Sequence, residues 1–227
     1  PDATVVYNDY DNYRERLLAI PHTNALLADF RLLAADVPKG KPIRGAARER
    51  IFERMARAEK EWGFVDYITV SSVLMFSMKY ATSLEAMRKE TLYNNIRKTD
   101  YSPCTDYLEG LTVTSCDYKE LYMKYKDVPG VVFIVDPPYL STDVGTYKMY
   151  WRLSDYLDVL NVLRNKPFVH FTSNKSSIIE LCEWLGENRT LGNPFKNCEK
   201  VKFNAHVNYS SKYTDIMLYK KQTEKTA

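Results

Sequence analysis

Apolar and polar positions change period several times along the chain, and each change predicts an element. Residues 3–9, with Val5, Val6 and Tyr7, read as a strand. Residues 11–19 begin a helix, and the stretch from Leu26 to Leu33 extends it. Pro38-Lys39-Gly40-Lys41-Pro42 then breaks the pattern. Beyond it, residues 44–61 repeat at helical spacing, with Ile51, Met55, Ala58 and Trp62 on one side and Arg50, Arg54 and Arg57 on another. A further helical pattern begins near Ser71 or Ser83. Ser83 is read as an N-cap without the reciprocal box, because Ala86 stands where Glu or Gln would complete it. Strands return at 111–116, 131–135 and 167–172, with helices near 154–164 and 176–186. The tail, about 199–219, alternates through Val201, Phe203, Ala205 and Val207 and again through Ile216 and Leu218, which predicts a hairpin.

One strand carries most of the chemistry. Val131-Val132-Phe133-Ile134-Val135 has no alternation, so it predicts a strand buried on both faces, as inside a parallel sheet. It runs directly into Asp136-Pro137-Pro138-Tyr139. In open α/β sheets the carboxyl edge of the strands is where ligands bind. Each proline lacks an N–H and fixes φ, which leaves a stiff loop with carbonyl acceptors and few competing donors. An exocyclic amine on a nucleobase has two N–H groups that a carboxylate and a prolyl carbonyl can accept. Tyr139 adds a ring on which a base can stack, a contact worth about 1–3 kcal/mol. The alternative is an ordinary turn, since Asp-Pro commonly opens one.

Composition narrows the classes without naming one. The 227 residues, 45% hydrophobic and 27% charged, are those of an ordinary globular protein long enough for a catalytic domain and a smaller insertion. No apolar run approaches a membrane span. Cys104, Cys116, Cys182 and Cys198 form no Cys-x-x-Cys pair, and the three histidines are scattered, so no metal site is expected. The net charge of +3 is a weak pointer to nucleic acid. The crowding of Lys39, Lys41, Arg44, Arg48, Arg50, Arg54, Arg57 and Lys60 says more, although Glu49, Glu53, Glu59 and Glu61 interleave with them. Such a face either contacts phosphates or is solvated surface.

Asp136 to Tyr139 after an apolar strand resembles motif IV of the amino-methyltransferases, in the Asp form usual among N6-adenine DNA enzymes. The order of the remaining stretches is similar to that of the class α, Dam-like adenine methyltransferases. Val5-Val6-Tyr7-Asn8-Asp9 resembles their second strand, whose terminal acid binds the ribose of S-adenosylmethionine (SAM). Thr112 to Tyr118 resembles the strand whose acid and following aromatic, here Asp117 and Tyr118, hold the SAM adenine. Phe168 to Asn174 resembles the fifth strand, which ends at a small polar pair. The family's Phe-x-Gly-x-Gly loop, which wraps the methionine part of SAM, has no counterpart among these eight glycines. The resemblance therefore implies a chain that starts after the family's first strand.

This resemblance implies an α/β fold: a Rossmann-like mixed sheet lacking its first strand, with a helical target-recognition insert. Residues 1–38 would be the first part of the catalytic domain, 39–107 the insert and 108–227 the second part. The implied activity is transfer of a methyl group from SAM to N6 of a flipped-out adenine. Asp136, Pro137, Pro138 and Tyr139 would be catalytic. Asp9, Asp117, Tyr118 and Asp136 would hold the cofactor. Arg50, Arg54, Arg57, Tyr209 and Tyr213 would contact double-stranded DNA. A cognate restriction endonuclease would be a natural partner, and a bacterial or phage cytoplasm the setting. Two alternatives stay open: a methyltransferase acting on N4 of cytosine or another amine, and an inactive methyltransferase-like DNA-binding module.

Overall fold

The structure is a computed structural model that describes residues 3–76, 79–140, 151–187, 192–208 and 211–221, by their backbone alone at 206–208 and 211–212. Its contacts divide the chain into two compact units, Pro1–Asp117 and Tyr118–Ala227. Both contain helices and strands. Among the described residues no helix is long and apolar enough to cross a membrane.

The first unit opens with β1 (Val6–Asn8), α1 (Tyr13–Leu18) and α2 (Ile20–Leu33). Pro21 in the first turn of α2 is preorganised for that position, where its missing N–H costs no intrahelical bond. Thr23, Leu26, Leu27 and Phe30 recur at helical spacing and are all buried. They pack against α3 (Gly45–Trp62), whose Ile51, Phe52, Met55 and Ala58 form the complementary stripe. Gly63 ends α3 in the left-handed region at φ 73°, a conformation that suits glycine, and returns its N–H to the Glu59 carbonyl at 2.9 Å.

Asp66 caps α4 (Tyr67–Leu74) by accepting the Thr69 N–H at 3.0 Å, and its buried carboxylate pairs with Arg16 at 3.1 Å. Ser83 caps α5 (Leu84–Arg88) through Ala86 N–H, as its sequence position predicts. Two short strands, β2 (Pro42–Ile43) and β3 (Leu92–Tyr93), close this helical part by antiparallel pairing. One apolar core joins α2 to α3, α4 and α5. The last strand, β4 (Thr112–Thr114), pairs with β1 in parallel, Val6 opposite Thr112 and Asn8 opposite Thr114.

The second unit comprises α6 (Tyr118–Tyr125), β5 (Phe133–Val135), α7 (Leu153–Leu163), β6 (Phe168–Ser173), α8 (Ile178–Glu187), β7 (Glu199–Asn208) and β8 (Ser211–Lys220). Its sheet has the order β5-β6-β8-β7; β5 and β6 are parallel, and the other two pairings are antiparallel. The tail is therefore the hairpin its alternation predicts. Tyr156, Val159, Leu160 and Leu163 of α7 and Ile178 and Cys182 of α8 bury Phe168, Ile216 and Leu218 of the sheet.

The prediction that residues 131–135 are buried on both faces is corrected. Phe133 and Val135 pack against this core, but Val132 is 53% exposed and Ile134 is 69% exposed. The strand stands at one end of the four-stranded order, with a single ladder neighbour among the described residues. Successive side chains alternate between faces, so Ile134 points away from the side that α7 and α8 cover.

Candidate active site

Asp136, Pro137, Pro138 and Tyr139 follow β5 at its carboxyl end, as the sequence predicts. Both prolines are buried and Tyr139 is half-buried. Two hydrogen bonds are among the ties that hold the loop to the rest of its unit. The Tyr139 hydroxyl donates to Asp215 Oδ1 at 3.0 Å, and the Leu140 carbonyl accepts the Ser177 N–H at 3.2 Å. Asp215 belongs to β8, where it stands opposite Ser173 on β6 and Phe203 on β7.

The ends of β6 and β8 are themselves laced together. Asn174 donates its N–H to the Thr214 carbonyl at 3.0 Å and accepts the Thr214 N–H on its side-chain oxygen at 2.9 Å. Ser173, which is fully buried, accepts the Lys175 N–H at 3.2 Å. The Lys175 ammonium lies 5.3 Å from the centre of the Tyr213 ring. The strand ends thus gather two acids, two tyrosines and a lysine.

Electrostatics follow from that gathering. Asp136 keeps open surface, yet burial of its carboxyl group raises its pKa above the usual carboxylate value, and the Asp215 charge raises it further. Tyr139 is pushed well above the ordinary phenol value, first by burial and then by its hydrogen bond to Asp215, with Asp136 and Tyr213 adding to the shift. The phenol is therefore a committed donor. An Asp136 carboxylate with a raised pKa is correspondingly a more basic acceptor for an amine hydrogen.

The remaining residues marked in the sequence fall as follows. Asp9 is 5% exposed, and both its oxygens are engaged at the start of α1: Oδ1 accepts the Tyr13 N–H at 2.5 Å and Oδ2 the Arg14 N–H at 2.8 Å. This is a helix cap. A cavity of about 260 Å³ beside α1 is lined by Arg14, Leu17, Leu18, Cys104, Leu108 and Val113 among others, and not by Asp9. Asp117, half-buried, follows β4 and ends the first unit. Tyr118 opens the second unit with its ring stacked on Trp151 at 5.0 Å and its hydroxyl 3.4 Å from an Asp155 carboxyl oxygen. Burial, followed by the Asp155 charge, lifts its pKa to about 12.

On α3 the expected trio is divided. Arg50 and Arg57 are exposed, and among the described residues neither forms an ion pair. Arg54 is drawn out of that face: it pairs with Asp29 of α2 at 2.6 Å and lies 5.0 Å from the centre of the Trp62 ring. The cause is the packing of α3 on α2, which presents Asp29 to it. Tyr209 lies outside the described residues.

Sequence reasoning overlooked Asp215 and Lys175. The signal for Asp215 was available, because Tyr213, Asp215, Met217 and Tyr219 share one face of β8 and the acid interrupts an otherwise uncharged series. An acid placed inside a paired strand needs a partner, and here that partner is Tyr139.

A protein of Haemophilus influenzae named "Putative methyltransferase" is 32% identical to this chain over 224 residues, a match that spans 97% of this chain and 74% of that protein. The chain belongs to that methyltransferase family. No protein-family model matches it.

Proposed function

We propose that this protein transfers a methyl group from SAM to N6 of an adenine in double-stranded DNA. The observation that carries the reading is the Asp136–Tyr139–Asp215 arrangement at the carboxyl end of β5. It supplies the two things an exocyclic amine on a base requires, a carboxylate acceptor and a fixed aromatic ring. The strand pairings support the same reading. In the Dam-like sheet the second strand neighbours the third, and the fourth, fifth, seventh and sixth follow one another; β1 beside β4 and the order β5-β6-β8-β7 agree with those neighbours.

In this mechanism an adenine leaves the duplex, at a cost of a few kcal/mol, and enters the loop. Asp136 and the Pro137 carbonyl accept the two amine hydrogens, which draws the nitrogen lone pair out of conjugation with the ring. Tyr139 stacks on the base. The rate enhancement comes mainly from holding the amine in this orientation.

The methyl donor fits the described residues only in part. Asp117, half-buried in the segment after β4, would be the acid for the adenosine part. Asp9 caps α1 with both carboxyl oxygens, and the sequence has no Gly-x-Gly segment for the methionine part. The Asp9 cap is also the observation that favours a second reading, a methyltransferase-like DNA-binding module without activity.

The deciding experiment is incubation of the full-length protein with isotopically labelled SAM and unmethylated duplex DNA, followed by mass spectrometry of the released nucleosides. Labelled N6-methyladenine is expected. Labelled N4-methylcytosine would move the substrate to cytosine, and DNA binding without label would establish the inactive module.

DNA contact is proposed for Arg50 and Arg57, two exposed cations of α3, and for Tyr213. Replacing Arg50 and Arg57 together by alanine should weaken binding to all duplexes alike and reduce the slope of log K against log salt by about 2, one for each lost phosphate contact. A slope equal to that of the unaltered protein would leave α3 as solvated surface.

A further inference from the structure

Asp215, like Lys175, is a residue of this cluster that no motif marks. Two properties set it apart. Its backbone is fixed on both sides, since β8 pairs with β6 through Ser173 and with β7 through Phe203. Its carboxylate reaches across 76 residues of sequence to the Tyr139 hydroxyl. Tyr139 itself sits in an irregular loop, which the Leu140–Ser177 backbone bond also ties down. A loop tyrosine hydrogen-bonded to water would rotate about its side-chain torsions; one bonded to a carboxylate on a doubly paired strand keeps a single orientation.

We propose that Asp215 is a positioning residue of the amine-binding loop: it holds the Tyr139 ring where a substrate base stacks and sets a second negative charge beside Asp136. The proposal rests on the reading of the loop as an amine-methylating site and extends it to a residue outside the motif. Among the described residues, Asp136 after β5 and Tyr213 on β8 act on the Asp215–Tyr139 pair, and Lys175 after β6 lies against the Tyr213 ring. Asp215 both contacts the loop tyrosine and bears on the acceptor acid.

Two consequences separate this role from a merely structural one. Ring positioning predicts that Asp215→Ala and Tyr139→Phe each raise KM for duplex DNA about tenfold, the order expected for losing one stacked base contact. The double variant should be no worse than either single one, because both remove the same hydrogen bond. Charge placement predicts that Asp215→Asn, which keeps an oxygen acceptor, preserves KM but moves the acid limb of kcat/KM to lower pH, since the neighbour that opposes ionisation of Asp136 is gone.

A readout independent of activity uses 3-fluorotyrosine incorporated at position 139 of the full-length protein. Its ¹⁹F resonance should shift in Asp215→Ala, and its hydroxyl should titrate at lower pH in both Asp215 variants. Should Asp215→Ala not fold, the titration in Asp215→Asn decides. A resonance and titration unmoved by either variant would overturn the positioning role, as would additive losses in the double variant. If the unaltered protein transfers no methyl group to DNA, the functional reading fails, while the fluorine measurement still tests the Asp215–Tyr139 tie.

Discussion

Replacing Asp136 with asparagine is expected to lower methyl transfer by at least about a hundredfold, the loss typical when one preorganised electrostatic group is removed from an active site. The same change is expected to make the folded protein more stable at neutral pH. The two effects have one cause. Burial and the Asp215 charge raise the pKa of Asp136 in the folded state, so the folded protein holds that proton more tightly than the unfolded chain does. The stability this group contributes is complete at pH values below its unfolded pKa. It is lost as pH rises from there through the folded value. At neutral pH the ionised carboxylate is therefore a cost borne by the fold, and asparagine removes the charge while keeping the shape. Label transfer from SAM to DNA measures the first effect, and scanning calorimetry at pH 7 the second. Unchanged turnover would remove Asp136 from the mechanism, and a lower melting temperature would make it a structural residue.

The same opposition of needs explains why some features were legible in the sequence and others were not. Helix α3 was readable because Ile51, Met55 and Ala58 must share one face to be buried, and that constraint leaves a period in the sequence. The terminal hairpin was readable for the analogous reason, with Ile216 and Leu218 inside and Asp215 and Met217 on the opposite face. The exposure of Ile134 was not readable. A run of β-formers specifies a strand but carries no record of whether neighbours cover both its faces and both its edges. Arg54 illustrates a second limit. A helical projection places it beside Arg50 and Arg57, but whether it stays there depends on Asp29, which is 25 residues away in sequence. Asp9 shows a third: a strand-end acid that caps the next helix and one that receives a ribose have the same sequence context, and only the Tyr13 and Arg14 bonds reveal the cap. The loop Asp136 to Tyr139 was legible because its prolines restrict both backbone and donors, whereas Asp215 becomes part of the site only through the pairing of β8 with β6.

Acidification should destabilise the protein through His170. This side chain lies in the core of the second unit, 2% exposed, on a strand whose register sets it between Val135 and Leu218. The Phe195 ring lies 5.1 Å away, edge-on, and among the described residues Nδ1 has no hydrogen-bond partner. Burial pushes its pKa from 6.5 down to about 4. Between those values the unfolded chain binds a proton that the folded protein refuses, so stability falls as pH drops through that window and levels off below it. At 1.36 kcal/mol for each unit of displacement, the full loss is about 3 kcal/mol, a large share of the stability of a typical domain. His170→Leu removes the titrating group and the unpartnered nitrogen together while retaining a comparable apolar volume. Urea unfolding measured at intervals from pH 7 to pH 4 should show the unaltered protein losing about 3 kcal/mol more than the variant across that range. Two curves that fall in parallel would mean that His170 takes up its proton at the same pH in the folded protein as in the unfolded chain, and the acid sensitivity would then belong to other groups.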